Sequence, residues 1–377
     1  MTERFPDIPS PAFILEETKL QQNLERIVYI KEQADVSIIL ALKGFALWKS
    51  FPIIRKYIQG ATASSLHEVL LCKEYMGTAA HTYAPVYSPE DFEEIAQNSS
   101  HISLNSLTQY ETYKHMCKKH NVAIGLRINP GYSDIETEMY NPCTPDSRLG
   151  IPAEELTHLP EGVTGLHFHA LCESNSYSLE RVLESCEQKF AHLLPQISWI
   201  NMGGGHLVTD AEYDVEHLIS VLSKFKQKHK ISIILEPGGA FAWQTGVLKA
   251  RILDIVHYGK IPTALLDISF AAHMPDTLEM PYRPHIEGAS SEPKNGFIPY
   301  RLGGTTCLAG DFLDPYYFPK QLEIGESLIL DDMIHYTMVK TTLFNGVRHP
   351  SIYISHTNGY NECVRTFTYD DYKNRLS

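Results

Sequence analysis

The chain of 377 residues has only 3 tryptophans, and its 7 cysteines include no pair at Cys-x-x-Cys spacing. They stand at 72, 117, 143, 172, 186, 307 and 363, an odd number spread widely, so neither a disulfide framework nor a zinc knuckle is expected. Positive charge is also scarce. With 32 Lys and Arg against 45 Asp and Glu, the net charge is −13. That balance counts against nucleic acid or an anionic membrane as main partner and is compatible with a cationic substrate. Nowhere do eighteen apolar residues run together, and residues 1–7 show no basic stretch leading into an apolar core. The expectation is therefore a cytoplasmic protein with no membrane partner. An apolar content of 43% and a charged content of 20% are ordinary for a globular protein, here long enough to bury a large core.

A short apolar strand over 12–15 precedes a helix over 17–31, where Leu20, Leu24, Ile27 and Ile30 recur at helical spacing. After that the pattern alternates. Apolar strands are predicted at 36–42, 60–64, 81–86, 101–105, 122–128, 163–169, 197–202 and 231–236, most of them separated by amphipathic helices such as 107–120 and 213–229. Eight strands with helical connections match a (β/α)8 barrel better than an open doubly wound sheet. Near Gln244 the pattern changes: 247–256, 263–269, 327–330, 336–343 and 352–355 read as strands with no helices between them. The fold class expected is α/β plus all-β. A (β/α)8 barrel would cover 17–243, and a C-terminal β-sandwich or β-barrel domain over 244–377 would also take in residues 1–16. The connection 130–161, rich in Pro, Asp and Ser, is longer than an ordinary loop and reads as a functional one.

Unusual residues collect at the C-terminal ends of the proposed barrel strands, where barrel active sites are built. Lys43 ends the run Ile38-Ile39-Leu40-Ala41-Leu42. A lysine at such a mouth loses hydration, its pKa falls and its amine becomes a nucleophile; taken alone, a solvated loop lysine is the commoner case. Ser64 ends the second strand, His169 the sixth, Gly203-Gly204-Gly205 follow the seventh, and Glu236-Pro237-Gly238-Gly239 end the eighth. Consecutive glycines let backbone N–H groups approach a phosphate, and Gly238-Gly239 offer a second wall. Glu236 suits a protonated pyridine nitrogen, or else simply pairs with a cation. His167 and His169 point to the same side of a strand. No cysteine or carboxylate stands beside them at ligand spacing, so a metal site is not expected; His169 is the candidate to stack on a flat ligand, with His167 its structural neighbour.

Further stretches complete an ordered set: Ala41-Leu42-Lys43, Leu126-Arg127-Ile128-Asn129-Pro130, Ser147-Arg148-Leu149-Gly150, His273-Met274-Pro275-Asp276, Glu279-Met280-Pro281-Tyr282-Arg283-Pro284, and Thr306-Cys307-Leu308-Ala309-Gly310-Asp311. From about Ser10 to Gly346 the chain resembles the fold-type III, alanine-racemase-like pyridoxal-phosphate decarboxylases, and among them the carboxynorspermidine/carboxyspermidine decarboxylases. The resemblance implies pyridoxal 5′-phosphate as cofactor. It implies decarboxylation of carboxynorspermidine or carboxyspermidine to norspermidine or spermidine, in polyamine biosynthesis. It also implies a homodimer with active sites at the interface. Lys43 would hold the cofactor, His169 would stack on its ring and Glu236 would bind the ring nitrogen. Gly204, Gly205, Gly238 and Tyr336 would hold the phosphate. Cys307, entering with Asp311 from the partner subunit, would give a proton to the α-carbon, and Asp276 and Asp311 would bind the substrate, Asp276 at an amine.

A carboxylate at the ring nitrogen suits decarboxylation better than the arginine of racemases of this fold. The chain also departs from its relatives. Gly239 stands at the substrate-facing position where diaminopimelate, ornithine and arginine decarboxylases usually carry arginine, and where many carboxynorspermidine decarboxylases carry an acid. The serine those relatives place three residues after the stacking histidine is Cys172. The competing readings are decarboxylation of diaminopimelate, ornithine or arginine, and a non-catalytic regulatory homologue.

Overall fold

The apolar run around Ile39 forms one strand interrupted at that residue. Ser37–Ile38 pairs with Ser232–Leu235, Leu40–Ala41 pairs with Ala61–Ala63, and the Ile39 and Leu40 amides donate in opposite directions, to Leu235 O and Gly60 O. This break closes a barrel. In the computed structural model, which describes residues 4–279 and 282–377, the chain divides into two compact units, one of them Gln21–Phe241 and the other built from the segments on either side. In the first unit the parallel strands Leu40–Ala41, Ala61–Ala63, Ala80–Tyr83, Ser99–Leu104, Ala123–Arg127, Val163–His167, Trp199–Asn201 and Ser232–Leu235 follow one another in chain order back to Ser37–Ile38. Every strand expected for the barrel is present. They read as near-continuous apolar runs because helices cover them on the outside.

Those helices start where the sequence supplies caps. Ser65, Ser106, Asn175 and Asp214 each accept the backbone N–H three residues on, opening Leu66–Leu71, Leu107–Lys119, Ser176–Phe190 and Val215–His229. Each such cap is worth about 1 kcal/mol. Inside the barrel the side chains form layers. Trp199 packs with Ile39 and Ile234. Gly125 and Gly165 make room for its indole, since a Cβ there would lie 2.4 and 2.0 Å from the ring. His81 stacks on His101 at 4.0 Å, and burial pushes His81 down to about 3, so this layer stays uncharged at neutral pH. Polar groups are gathered in the layer nearer the C-terminal strand ends.

The long connection 130–161 is fastened to the barrel. Ser185 Oγ and Lys189 Nζ donate to Pro130 O, Ser133 Oγ donates to Ala170 O, and Arg181 pairs with Asp134. At its far end Ile151 exchanges backbone bonds with Arg127 O and the Asn129 amide, extending the rim of the Ala123–Arg127 strand.

The other unit is a mixed sheet organised on the strand Gly246–Val256, which pairs antiparallel with Ala12–Glu16, Ser327–Asp331 and Thr263–Leu266. A bulge between Ile252 and Asp254 lets its two halves serve different neighbours. The N-terminal strand Ala12–Glu16 belongs to this sheet and runs parallel to Ser351–Ser355. Ile298–Gly303, Phe312–Phe318 and Asn361–Arg365 are further strands. The stretch 336–343, expected as a strand, opens instead with a short helix, Tyr336–Val339. Its amides turn back on the chain, Met338 and Val339 to His335 O and Lys340 to Tyr336 O, and Thr337 Oγ1 donates to Asp276 at 2.7 Å; local bonds override the β-branched pattern. Among the described residues no helix is long and apolar enough to cross a membrane.

Candidate active site

Lys43 stands in the turn after the first barrel strand, its side chain accessible but so enclosed by protein that loss of hydration pushes its amine's pKa down, with the charge of Arg127 acting the same way. Glu236, Cys172 and Glu68 oppose that shift. Lys43 Nζ lies 3.5 Å from His169 Nε2. The Gly204 N–H donates to His169 Nδ1 at 2.9 Å, which assigns the ring proton to Nε2. Burial, followed by the charges of Lys43 and Arg127, holds His169 well below the usual histidine range.

Glu236, at the end of the last barrel strand, is buried (8% exposed). Its Oε1 accepts from Asn201 Nδ2, and Oε2 lies 3.7 Å from His167 Nε2. Asn201 is itself held by the Gly203 N–H at 2.9 Å. Burial pushes the Glu236 carboxyl up, while Asn201, Lys43, Thr62 and Arg127 pull it back. His167 packs against the edge of Tyr83 at 5.2 Å, and the buried Arg127 guanidinium lies 4.3 Å over the Tyr83 ring while donating to His169 O. Among the described residues neither ring nitrogen of His167 or His206 has a partner, and neither has Arg127 Nε. Ser64 gives its amide to Glu68 at 2.6 Å. Lys43-Gly44 abuts the last strand's loop: a Cβ on Gly44 would lie 2.8 Å from Gly238 Cα and 2.9 Å from Gly239 N.

The barrel unit thus carries Lys43, His169, Glu236, Gly204, Gly205, Gly238 and Gly239 together. The sheet unit carries Cys307, Asp311, Asp276 and Tyr336. Cys307 is exposed on the loop between Ile298–Gly303 and Phe312–Phe318, and its amide donates to Asn345 Oδ1 at 2.8 Å. Asp276 begins the short helix Asp276–Glu279; its Oδ2 accepts from Thr337 Oγ1 and from Tyr282 OH at 3.1 Å, and its Oδ1 is buried without a partner among the described residues. Tyr336 is half-buried at the start of its helix. Of the Glu-Met-Pro-Tyr-Arg-Pro stretch, Met280 and Pro281 lie outside the described residues. Arg127, Asn201 and Asn345 were not among the expected site residues. The first two had a signal, since each is a polar residue ending an otherwise apolar barrel strand.

The family model described as "Pyridoxal-dependent decarboxylase, C-terminal sheet domain" matches residues 28–334. The chain belongs to this family. Among curated decarboxylases, it is 49% identical over 375 residues to the carboxyaminopropylagmatine decarboxylase of Synechocystis sp., covering 99% of this chain and 97% of that protein. It is 41% identical over 382 residues to the carboxynorspermidine/carboxyspermidine decarboxylase of Campylobacter jejuni, covering 98% and 99%. The crystal structure of carboxynorspermidine decarboxylase from Campylobacter jejuni, complexed with norspermidine, superposes with a TM-score of 0.92 at 40% identity, over 98% of this chain and all of that one. The residues of this decarboxylase fit the pyridoxal group its family is named for. A lysine amine whose pKa burial lowers, a buried carboxylate and a histidine ring are the groups such a cofactor needs. The amides of Gly205 and Gly238, which have no acceptor among the described residues, can take a phosphate.

Proposed function

We propose that the protein removes the carboxylate from a carboxylated polyamine, carboxynorspermidine or carboxyspermidine, in polyamine biosynthesis, with pyridoxal 5′-phosphate as cofactor. The observation that carries this reading is full-length identity of 41% and 49% to two decarboxylases whose named substrates are carboxylated polyamines. The unpartnered buried oxygen of Asp276 supports it, because a buried carboxylate oxygen calls for a cation, and the substrate amine supplies one. Pyridoxal phosphate, when bound, supplies the electron withdrawal that lets the α-carbon release CO2.

The chain's own residues do the rest. Lys43 offers an amine of lowered pKa to hold the cofactor, His169 lies against the ring, and Glu236 keeps a proton on the ring nitrogen. Gly205 and Gly238, with Tyr336, hold the phosphate, while the Gly204 amide, expected there too, is taken by His169 Nδ1. The C–C bond to the carboxylate breaks, its electron pair stays on the α-carbon, and a proton from the Cys307 thiol takes the place of CO2. The protein works as a homodimer in which Cys307 of the partner subunit completes each site. Cys307 is exposed beside two exposed apolar side chains, Leu308 and Phe344, as an interface residue would be in a lone chain.

A second reading is favoured by the 49% identity to the Synechocystis protein: a substrate whose far end is a guanidinium. Purified holoenzyme offered carboxynorspermidine, carboxyspermidine, carboxyaminopropylagmatine, meso-diaminopimelate, ornithine and arginine in parallel separates the readings. Norspermidine or spermidine as the fastest product upholds the first, and aminopropylagmatine the second. Lysine, putrescine or agmatine overturns both.

A further inference from the structure

The Asp311 carboxylate is 5% exposed, and both of its oxygens are bonded within the protein. Oδ2 accepts from the Thr306 amide (3.0 Å), Thr306 Oγ1 (2.6 Å) and Ser269 Oγ (2.9 Å), and Oδ1 accepts from the Ala271 amide (3.0 Å). Three donors crowd Oδ2 and one holds Oδ1, whose second lone pair is shut off from an incoming amine by burial and by Gly304, where a Cβ would lie 2.5 Å from Oδ1. These donors sit at two places that matter. Thr306 immediately precedes Cys307. Ser269 and Ala271 open the short helix Phe270–His273, capped by Ser269 Oγ on the Ala272 amide, and two residues, Met274 and Pro275, link it to the helix that begins at Asp276. A third strand of chain closes the ring of bonds: the Thr342 amide donates to Ala272 O at 2.8 Å, and Asn345, three residues on, takes the Cys307 amide. Asn345 adopts φ +56°, a left-handed conformation that asparagine tolerates better than most residues.

We propose that Asp311 is a positioning residue and not a substrate ligand. One buried carboxylate ties the Cys307 loop to the Asp276 helix, so that the group that protonates the α-carbon and the group that binds the amine are held at a fixed relation. The inference rests on the roles proposed above for Cys307 and Asp276. Its mechanical part, that Asp311 sets the Cys307 loop, is read independently of turnover.

The experiment compares wild-type holoenzyme with Asp311→Asn and the milder Thr306→Val. Asparagine keeps the shape but turns one acceptor into a donor facing donors. Three quantities are measured: the iodoacetamide alkylation rate of the Cys307 peptide by mass spectrometry, kcat and KM for the best substrate, and the stereochemistry of deuterium at the product α-carbon in D2O. Asp311→Asn should keep the cofactor's absorbance, change the alkylation rate by roughly threefold or more, lower kcat by about 100-fold as expected for a misplaced group, and scramble the deuterium. Thr306→Val, which removes one of the four bonds, should move all three in the same direction by less. A raised KM with native alkylation rate and intact stereochemistry would make Asp311 a substrate ligand and overturn the proposal, as would native values throughout. If Asp311→Asn does not fold, Thr306→Val decides by the same readings. Full turnover and clean stereochemistry in Cys307→Ala would instead remove the donor role of Cys307, while a changed alkylation rate in the Asp311 variant would still establish the positioning.

Discussion

In the barrel, His167, His206 and Arg127 Nε are buried with nothing to bond to among the described residues, and Glu236 keeps one oxygen 3.7 Å from a histidine nitrogen. In the sheet unit, the Asp311 carboxylate is buried just as deeply and has four donors. An unmet buried polar group costs about 1–3 kcal/mol, so a fold tolerates several in one place only where a ligand or water meets them. A carboxylate whose two oxygens are both bonded within the protein has no such need and acts as scaffold. Satisfaction therefore sorts polar residues that sequence cannot distinguish. Asp276, with one buried oxygen unpartnered, falls with the barrel residues although it belongs to the sheet unit.

Lys43→Ala tests the barrel side most severely. It should abolish the visible absorbance of bound cofactor and all turnover, because Lys43 is the amine in contact with His169, yet leave the thermal stability of the cofactor-free protein near wild type, since that contact is a single one at 3.5 Å. A retained cofactor spectrum would sink the assignment. Glu236→Gln should rank next, with turnover reduced on the order of 100-fold, about 2.7 kcal/mol of barrier. Its effect on stability should have the opposite sign. Burial raises the folded-state pKa of Glu236, so the carboxylate weakens the fold increasingly as pH rises through and above the ordinary carboxyl range. The glutamine variant should thus be more stable than wild type at pH 7, with the gain fading as pH falls below that range. Asp311→Asn, by contrast, should lose about 1–3 kcal/mol at pH 7. Urea titrations of both variants at two pH values break the comparison if the signs agree.

Much of the barrel was readable because its strands repeat one chemistry. Each is a short apolar run, and Lys43, His169 and Glu236 stand out where such runs end. The sheet unit gave less away. Pro299 and Pro315 lie inside Ile298–Gly303 and Phe312–Phe318, and proline argues against a strand unless tertiary pairing supplies the missing bond. Asn361–Arg365 is too polar to announce itself, and at 336–343 a β-branched pattern lost to local hydrogen bonds. Asp311 shows why site residues are harder than folds. Next to Cys307 it reads as one more acid in a functional loop, but its Ser269 and Ala271 donors lie 42 and 40 residues upstream, and nothing local marks them.

The smallest effect is expected where a polar pair is satisfied but not buried. Asp134, in the long connection 130–161, pairs with Arg181, whose side chain is 47% exposed. The Arg181 guanidinium's hydrogen bond holds the Asp134 carboxyl down at about 2, against an ordinary 3.8. Because the folded-state pKa is depressed, the pair's contribution is present in full above the ordinary value and is lost as pH falls through about 2. Solvent screening limits it to about 0.2–1 kcal/mol, so Asp134→Asn should lower Tm by no more than about 3 °C at pH 7. The difference from wild type should shrink steadily between pH 4 and about 2 and fade in high salt. Turnover should stay near wild type, since Ser133, Ser185 and Lys189 still fasten the loop through separate bonds. A fall in kcat as large as that of Glu236→Gln would mean that the connection acts on the site through this ion pair, and satisfaction by an exposed partner would then no longer mark a residue as mere fastening.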